Sequence, residues 1–350
     1  MASANQQLAD ALVRYAVGLE RLSDATVRRV IAGLRRADAR IVERLASGYE
    51  PQSSRRQQEA LLGQIRAILD SVYTDELGRL RIDLDDLAVY EAEAVKDAFD
   101  KVLPNLGYRL TSPDQLHAAV YSRPFQGRLM KDWFSDLPEA AFKRMEREIR
   151  QGFIEGRTNA QIIRAIQGTR AQGYKDGIAQ VNRRDAEVTV RTAIAHVSNA
   201  ARERSFRSNR KVLRGVQWVS VLDKRTSLIC AGRDGKIYEV DKGPRPPAHP
   251  RCRSTTVPVV KSRRQISSEK FSELELSKLD GNTAEEMTYG AWLRRQNVAA
   301  QEEVLGVTKA RLFRAGELPI DKFTNATGEE YTLDQLRQRN REAWDKAGLD

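Results

Sequence analysis

Two cysteines and one histidine are the side chains of this sequence best suited to binding a metal ion: Cys230, His249 and Cys252. Zinc takes about four nitrogen or sulfur ligands in a tetrahedron, and they usually include a closely spaced pair. His249 and Cys252 form such a pair, and Cys230 supplies a third ligand. A carboxylate from Asp223 or Asp234 would complete a structural zinc site. The alternative is that both cysteines are small buried apolar residues and that His249 is a loop or capping donor.

Four side chains of the same stretch could instead form a nuclease site, in which carboxylates hold Mg²⁺ and a histidine activates water. They are Asp223, Asp234, Asp241 and His249. Against this, Asp234 precedes Gly235 in a pair favoured by hairpin turns, and Asp223 is placed to bond turn amides. No Ser-His-Asp, Gly-x-Ser-x-Gly, Cys-His or glycosidase pattern stands out. We therefore predict a protein without catalytic or cofactor-binding residues.

Short strands must position these side chains, because β-branched and aromatic residues dominate residues 215–260, with Asp, Gly and Pro between the runs. We expect a small antiparallel sheet closed by Trp218, Val219, Ile237, Tyr238 and Val257. A regular helix is predicted over residues 185–208, with small apolar residues on its inner side. Sheet and helix together would form an α+β module.

A dense basic cluster lies at the end of that helix. Its members are Arg202, Arg204, Arg207, Arg210, Lys211 and Arg214. Cations near a helix C-terminus are mildly stabilised by the helix dipole, which is one explanation. The cluster is larger than capping requires, so we also predict a contact with the phosphates of double-stranded DNA or with an acidic subunit.

Helical periodicity on both sides of this module makes the predicted fold α+β and predominantly helical. The predicted helices cover residues 6–46, 55–77, 84–102, 137–153, 283–305, 308–314 and 332–346. The first is one long helix or a pair divided near Ser23 and Asp24, the fourth starts at Leu137 and Pro138, and Thr332 caps the last. We divide the chain into a helical bundle or stalk (1–136), the α+β module (137–260) and a C-terminal helical lobe (261–350).

Composition limits the class of protein. The 350 residues carry a formal charge of +11, which favours a polyanionic partner, although 48 acidic residues are mixed with 59 basic ones. Two cysteines are too few for a disulfide-built secreted scaffold and fit synthesis in a reducing host cytoplasm. No export signal or membrane span is visible, so we expect any extracellular role to be reached by carriage, as in a virion.

Four motifs follow one another through the β-rich stretch. They are Trp218 with its apolar run, Asp223-Lys-Arg225-Thr226-Ser227 with Cys230, Asp234-Gly235-Lys236-Ile237-Tyr238, and Pro246-Pro247-Ala-His249-Pro250-Arg-Cys252-Arg253-Ser254. Their order resembles the Mu F-type phage head morphogenesis family, and Arg191-Thr192 matches the Arg-Thr that such domains carry. The resemblance covers about residues 140–260, and residues 287–336 are similar to the tail region of podophage members. Many relatives read Cys-Arg-Cys where this chain has Cys252-Arg253-Ser254, which weighs against the zinc site.

The resemblance implies a minor capsid or head morphogenesis protein of a tailed, podophage-like bacteriophage. Its partners would be the portal protein, the major capsid protein or both, in a multi-copy assembly at the portal vertex or capsid interior. The N-terminal helices would dock, and the basic cluster would face genomic DNA during packaging and ejection. Two alternatives stay open: a nucleic-acid-binding protein without a virion role, and a metal-dependent nuclease.

Overall fold

Helices make up most of the chain, and a three-stranded antiparallel sheet is formed by segments of its second half. The computed structural model describes residues 3–266, 271–280, 288–325 and 327–349. Over these residues it has thirteen α-helices, which confirms the predicted α+β, predominantly helical class. No helix within these ranges is long and apolar enough to cross a membrane.

The elements follow one another along the chain with short connections. Six helices precede the sheet: α1 (Ala4–Gly48), α2 (Arg55–Val102), α3 (Pro113–Ser122), α4 (Met130–Glu155), α5 (Asn159–Gln167) and α6 (Ile178–Ser208). The sheet region comprises β1 (Leu213–Val219), α7 (Leu228–Arg233), β2 (Ile237–Tyr238) and β3 (Thr255–Val260). After it come α8 (Glu273–Asp280), α9 (Tyr289–Arg294), α10 (Val298–Leu305), α11 (Val307–Arg314), α12 (Leu333–Arg339) and α13 (Arg341–Lys346).

Two compact units divide the chain. Unit 1 comprises Met1–Val17, Glu91–Ser112 and Ala201–Asp350, and unit 2 comprises Gly18–Tyr90 and Pro113–Ala200. Helices α1, α2 and α6 each contribute residues to both units. The predicted division into residues 1–136, 137–260 and 261–350 stays a prediction.

Helices α1 and α2 are both continuous: α1 is the single long helix that was one of two predicted alternatives, whereas two helices were predicted where α2 lies. Ser23 is buried in the middle of α1 and does not begin a second helix. The predicted interruption of α2 between residues 77 and 84 is wrong. Leu80 and Leu84 are fully buried, so the apolar stripe continues past Gly78 and its packing outweighs the weak helix propensity of glycine.

Helix α4 begins at Met130, about two turns before the predicted start at Leu137. The Asp132 carboxylate accepts a hydrogen bond from the Leu129 amide at 3.0 Å and anchors this earlier start. Pro138 therefore lies inside the helix, where it removes one backbone donor. Leu137 is buried beside it, and tertiary packing of this face compensates for the missing hydrogen bond.

Strand β1 is the centre of the sheet, with β2 and β3 antiparallel on its two sides. Val216 lies opposite Tyr238 of β2 and Pro258 of β3. The predicted tight hairpin at Asp234 and Gly235 is wrong, because α7 is inserted between β1 and β2 and these two residues lead from α7 into β2. Gly235 still adopts a φ of 78°, a conformation that favours glycine.

The end of α6 that belongs to unit 1 packs against the sheet. Phe206 shares a core with four apolar side chains of the sheet: Leu213, Val216, Val257 and Val260. Because every one of them is almost completely excluded from solvent, this contact supplies the burial that a short sheet cannot obtain by itself. The predicted packing of the sheet against this part of the helix is confirmed.

Helices α9 to α13 enclose a second core of unit 1, which includes Phe313, Phe323, Leu336 and Trp344. Of the helix predicted over residues 283–305, residues 283–287 lie outside the described residues, and the remainder is divided into α9 and α10. Thr332 caps α12 as predicted, together with Gln335. The predicted last helix is interrupted at Asn340, where α12 ends and α13 begins.

Candidate metal centre and basic surface

Two connections of unit 1 bring the candidate metal ligands together. Cys230 lies in the first turn of α7, where the Ser227 hydroxyl accepts a hydrogen bond from the Cys230 amide at 3.4 Å. His249 and Cys252 lie in the connection between β2 and β3, within one turn closed by the Cys252 amide and the His249 carbonyl at 3.1 Å. The cysteines pack against Trp218, and both are buried, whereas His249 is half-buried.

The three side chains converge closely enough to share one ion. The two sulfurs are 3.6 Å apart, and Nε2 of His249 is 3.3 Å from Sγ of Cys230. The three ligand atoms lie within 4.8 Å of one another, and in the described part of the chain this is the sole such group of three or more His, Cys, Asp or Glu residues. Both cysteines are free thiols. The cluster of Cys230, His249 and Cys252 is called the Cys–His cluster below.

The two nitrogens of the His249 ring have different partners. Nδ1 lies 2.8 Å from the Pro250 carbonyl oxygen, and Nε2 lies 2.8 Å from the Ser227 hydroxyl. A carbonyl can only accept a hydrogen bond, so Nδ1 carries the proton in the neutral ring. Nε2 therefore presents its lone pair to the Ser227 hydroxyl and to the sulfur of Cys230.

The two thiols differ in acidity. Hydrogen bonding with the Cys252 thiol lowers the pKa of Cys230 to about 7, and the hydroxyls of Ser227 and Ser254 contribute to the same shift. The interaction with Cys230 and burial raise the pKa of Cys252 well above its usual value. Cys230 is therefore the first of the pair to become a thiolate.

Asp234 does not reach the Cys–His cluster. Its carboxylate accepts hydrogen bonds from the Ser220 amide at 2.6 Å and from the Tyr289 amide at 2.7 Å. Burial raises the pKa of Asp234 to about 6, and the two amide bonds oppose that shift. Asp234 thus anchors α9 to the end of β1.

Asp223 is also held away from the cluster. Arg253 donates two hydrogen bonds to its carboxylate, at 2.7 and 2.6 Å, and the Arg225 amide donates a third at 2.9 Å. The Arg253 side chain, opposed by burial, holds the pKa of Asp223 at about 2. The predicted turn role of Asp223 is confirmed, and neither Asp223 nor Asp234 supplies the predicted fourth metal ligand.

The residues proposed for a nuclease are likewise separated. Asp241 pairs with Arg207 at 3.6 Å and with Arg210 at 3.5 Å, while His249 belongs to the Cys–His cluster. Over the described residues, no group of metal-binding side chains unites these aspartates with His249. The arrangement that such a nuclease would need is not formed.

Two serines next to the Cys–His cluster were not predicted. The Ser220 hydroxyl accepts from Nε1 of Trp218 at 3.0 Å, donates to the Cys230 carbonyl at 2.9 Å, and lies 3.2 Å from the Ser254 hydroxyl. Ser254 hydrogen bonds the Cys230 sulfur. The sequence held a signal for Ser254, which replaces the second Cys of Cys-Arg-Cys, but it held none for Ser220.

Arg202 is separated from the rest of the predicted basic cluster. Its side chain is 0% exposed, donates from Nε to Glu91 at 2.6 Å and from Nη1 to the Thr255 hydroxyl at 2.8 Å. These contacts join α6 to α2 and β3 within unit 1. A phosphate cannot reach this guanidinium, so Arg202 is not available for the predicted contact with DNA.

The other five residues of the cluster reach the surface to different extents. Arg207 pairs with Glu203 at 2.8 Å, and Asp241 partly neutralises Arg207 and Arg210. Arg204 is half-buried, whereas Lys211 and Arg214 are exposed. Among the described ion pairs, none involves the side chain of Lys211 or Arg214, so the net positive charge of the surface lies toward β1.

The stretch that carries the Cys–His cluster and the end of α6 can be compared with known proteins. Residues 143–257 match the family model for Phage Mu protein F like protein. The relationship to the Mu F-type phage head morphogenesis family is confirmed over this stretch, which indicates a phage head morphogenesis protein. No curated protein and no solved structure matches the chain. Residues 143–257 are called the Mu F-like module below.

Residues just beyond the Mu F-like module extend its positive charge. Because β3 pairs with β1, the Lys261 amide donates to the Val212 carbonyl at 3.1 Å, and the Lys261 ammonium donates to the Lys211 carbonyl at 2.8 Å. Arg264 follows on an exposed turn. We define the basic surface as Arg210, Lys211, Arg214, Lys261 and Arg264. Strand pairing places Lys261 beside Lys211, and the sequence alone does not show this.

Proposed function

We propose that this chain is a minor capsid protein of a tailed, podophage-like bacteriophage that acts in head assembly at the portal vertex or the inner capsid surface. The observation that carries the proposal is the Mu F-like module at residues 143–257. Its polar residues support a role by attachment, since Asp223 and Asp234 hold loops together and are not directed at a shared reaction centre.

The portal protein, the major capsid protein or both would be the partners, in a multi-copy assembly. Exposed apolar side chains on the long helices support docking by this part of the chain. Val13 and Val17 are four residues apart on α1 and 38% and 54% exposed, and Ile82 on α2 is 63% exposed. Residues four apart lie on one face of a helix, so Val13 and Val17 offer a continuous apolar contact.

Contact with genomic DNA is the second part of the proposal. The basic surface provides five cations from the turn after α6, the start of β1 and the segment after β3. Clustered Lys and Arg side chains attract DNA by neutralising phosphates and releasing counterions, without reading its sequence. Such a contact suits a protein that accompanies the genome during packaging and ejection.

The test is the protein content of purified particles. Heads assembled with and without the gene for this chain would be compared by mass spectrometry, with the portal protein as the internal standard. We expect the chain in wild-type particles at a fixed ratio to the portal protein, and fewer infectious particles without it. Its absence from wild-type particles, with binding to DNA retained, would instead favour a nucleic-acid-binding protein outside the virion.

The nuclease alternative has a separate readout. Purified chain would be incubated with double-stranded DNA and Mg²⁺, beside the Asp234→Ala and His249→Ala variants. We expect no cleavage that depends on these side chains. Cleavage by the wild-type chain that both variants abolish would contradict a role by attachment.

A further inference from the structure

The spacing of the Cys–His cluster matches the edges of a zinc tetrahedron. With Zn–S bonds of about 2.3 Å and Zn–N bonds of about 2.0 Å, two sulfurs lie about 3.8 Å apart and a sulfur lies about 3.5 Å from a nitrogen. The corresponding distances here are 3.6 Å between the sulfurs and 3.3 Å between Sγ of Cys230 and Nε2 of His249. All three atoms lie within 4.8 Å of one another, so small side-chain rotations complete the geometry.

The orientation of His249 is a second, independent observation. Histidines that bind a metal through one nitrogen usually donate the other ring N–H to a carboxylate, a backbone carbonyl or water, which fixes the tautomer. In this chain Nδ1 faces the Pro250 carbonyl at 2.8 Å, and Nε2 lies 3.3 Å from the Cys230 sulfur and 2.8 Å from the Ser227 hydroxyl. The imidazole is thus held with the nitrogen that can coordinate an ion on the side of the Cys230 sulfur.

We propose that Cys230, His249 and Cys252 bind one zinc ion and that the fourth ligand is an exchangeable oxygen, from water or from the Ser254 hydroxyl. Binding converts two thiols into thiolates and releases two protons, and it needs no oxidant or reductant. The two thiolates balance the charge of Zn²⁺, which makes the ion acceptable in a buried site.

The fourth ligand distinguishes this site from a structural zinc site in which four cysteine or histidine side chains bind the ion. Asp223 is engaged by Arg253, and Asp234 is engaged by two backbone amides, so neither carboxylate is placed to coordinate. Ser254 is buried and bonded to the Cys230 sulfur, and a cysteine at this position would place a third sulfur beside the ion. An oxygen as the fourth ligand predicts weaker binding than a third thiolate, because zinc prefers sulfur and nitrogen ligands.

The ion would act as a clamp between two connections of the Mu F-like module. Cys230 belongs to α7, before β2, and His249 and Cys252 belong to the connection after β2. Strand β2 has only two residues, so few backbone hydrogen bonds hold these connections in place. Bound zinc would stabilise the folded chain by mass action, whether or not the protein has the proposed role in the capsid.

The experiment uses the full chain, purified with a reductant and stripped of metal, and titrated with Zn²⁺ or Co²⁺. We expect one equivalent to bind, thiolate-to-Co²⁺ charge-transfer absorption with the visible bands of a tetrahedral ion, and a rise in Tm with Zn²⁺. Cys230→Ser, Cys252→Ser and His249→Ala should each weaken binding by about tenfold or more. Wild-type chain that shows neither zinc binding nor the charge-transfer band would overturn the proposal.

A gain of affinity excludes the explanation that a variant has merely unfolded. Ser254→Cys should bind Zn²⁺ at least about tenfold more tightly and strengthen the charge-transfer band. Its matched control is Ser262→Cys, which adds a thiol at an exposed position outside the cluster and should leave the affinity unchanged. Equal zinc affinities of the wild type and Ser254→Cys would show that residue 254 does not face the ion. That result would overturn the assignment of an oxygen ligand at this position.

Discussion

Folding brings the residues of the Cys–His cluster together, whereas it separates the residues of the basic cluster at the end of α6. The three metal candidates are dispersed over two connections in the sequence, yet their ligand atoms end within 4.8 Å of one another. The six basic residues are close together in the sequence, yet folding buries Arg202 completely and leaves Lys211 exposed. Proximity along the chain is therefore a poor guide to a common surface.

Helix geometry explains the separation of the basic residues. Side chains turn by about 100° per residue around an α-helix, so Arg202 and Arg204 point about 160° apart. One of them must face the core if the other faces away from it. The Cys–His cluster is different because short turns and the pairing of β1 with two strands control where its loops meet.

The largest expected effect comes from the buried member of the basic cluster. Arg202→Ala leaves the carboxylate of Glu91 buried without its guanidinium, which should lower the free energy of unfolding by about 3–5 kcal/mol. Arg210→Ala, at the exposed end of the cluster, should change it by less than about 0.5 kcal/mol. Urea unfolding of the chain at pH 7, followed by tryptophan fluorescence, measures both.

A double variant separates loss of the ion pair from loss of packing. Arg202→Met combined with Glu91→Leu replaces both charges by apolar side chains and should recover much of the lost stability. If Arg202→Ala were no more damaging than Arg210→Ala, the guanidinium would not be buried as described, and the contrast within the cluster would disappear.

From the sequence, the presence of helices and strands could be predicted better than the residues at which they begin and end. The helix around Arg202, the β-rich stretch and the cap at Thr332 were all identified by local patterns. The early start of α4, anchored by the Asp132 carboxylate, and the insertion of α7 before Gly235 were not identified. The continuity of α2 past Gly78 was not identified either, because burial by distant residues decides it. Local propensity carries no information about those partners.

The candidate site shows the same limit. Cys230, His249 and Cys252 could be named because their residue types are those that bind zinc, but no spacing rule links Cys230 to the other two. Asp223 and Asp234 were weighed as ligands and as turn residues, and only the structure shows that arginine and backbone amides occupy them. The residue type shows which ligands a side chain could bind. It does not show which other protein groups already bind that side chain in the fold.

A variant of Asp234 tests whether the carboxylates of Asp223 and Asp234 stabilise the fold, whereas the Cys–His cluster is proposed to bind an ion. Asp234→Ala removes the acceptor of two backbone amides and should cost about 1–3 kcal/mol of unfolding free energy at pH 7. Burial raises its pKa to about 6, so the folded chain holds a proton that the unfolded chain releases between about pH 4 and pH 6. The native side chain therefore stabilises more at acid pH, and the cost of the variant should grow by about 2 kcal/mol from pH 7 to pH 4.5.

Asp223→Asn is the control, with the opposite dependence on pH. Its low folded pKa, about 2, means that the ion pair with Arg253 stabilises the chain above pH 4 and is lost as the pH falls through 2. The cost of this variant should therefore shrink toward pH 3. If the two variants had parallel pH profiles, the assigned environments of the two aspartates would be wrong.

The smallest effect is expected from the exposed part of the basic cluster, and it concerns binding and not stability. Changing Arg210, Lys211 and Arg214 together to Ser should weaken the salt dependence of DNA binding. The slope of log K against log salt concentration should become smaller in magnitude by up to about 3, because each lost phosphate contact removes about 0.9 from it. Fluorescence anisotropy with labelled duplex DNA at several salt concentrations provides the measurement. The control changes three exposed cations of the C-terminal helices and their connection: Lys322, Arg337 and Lys346. Both triple variants lose the same charge, so equal slopes would show that DNA responds to net charge alone and that the basic surface is no binding site.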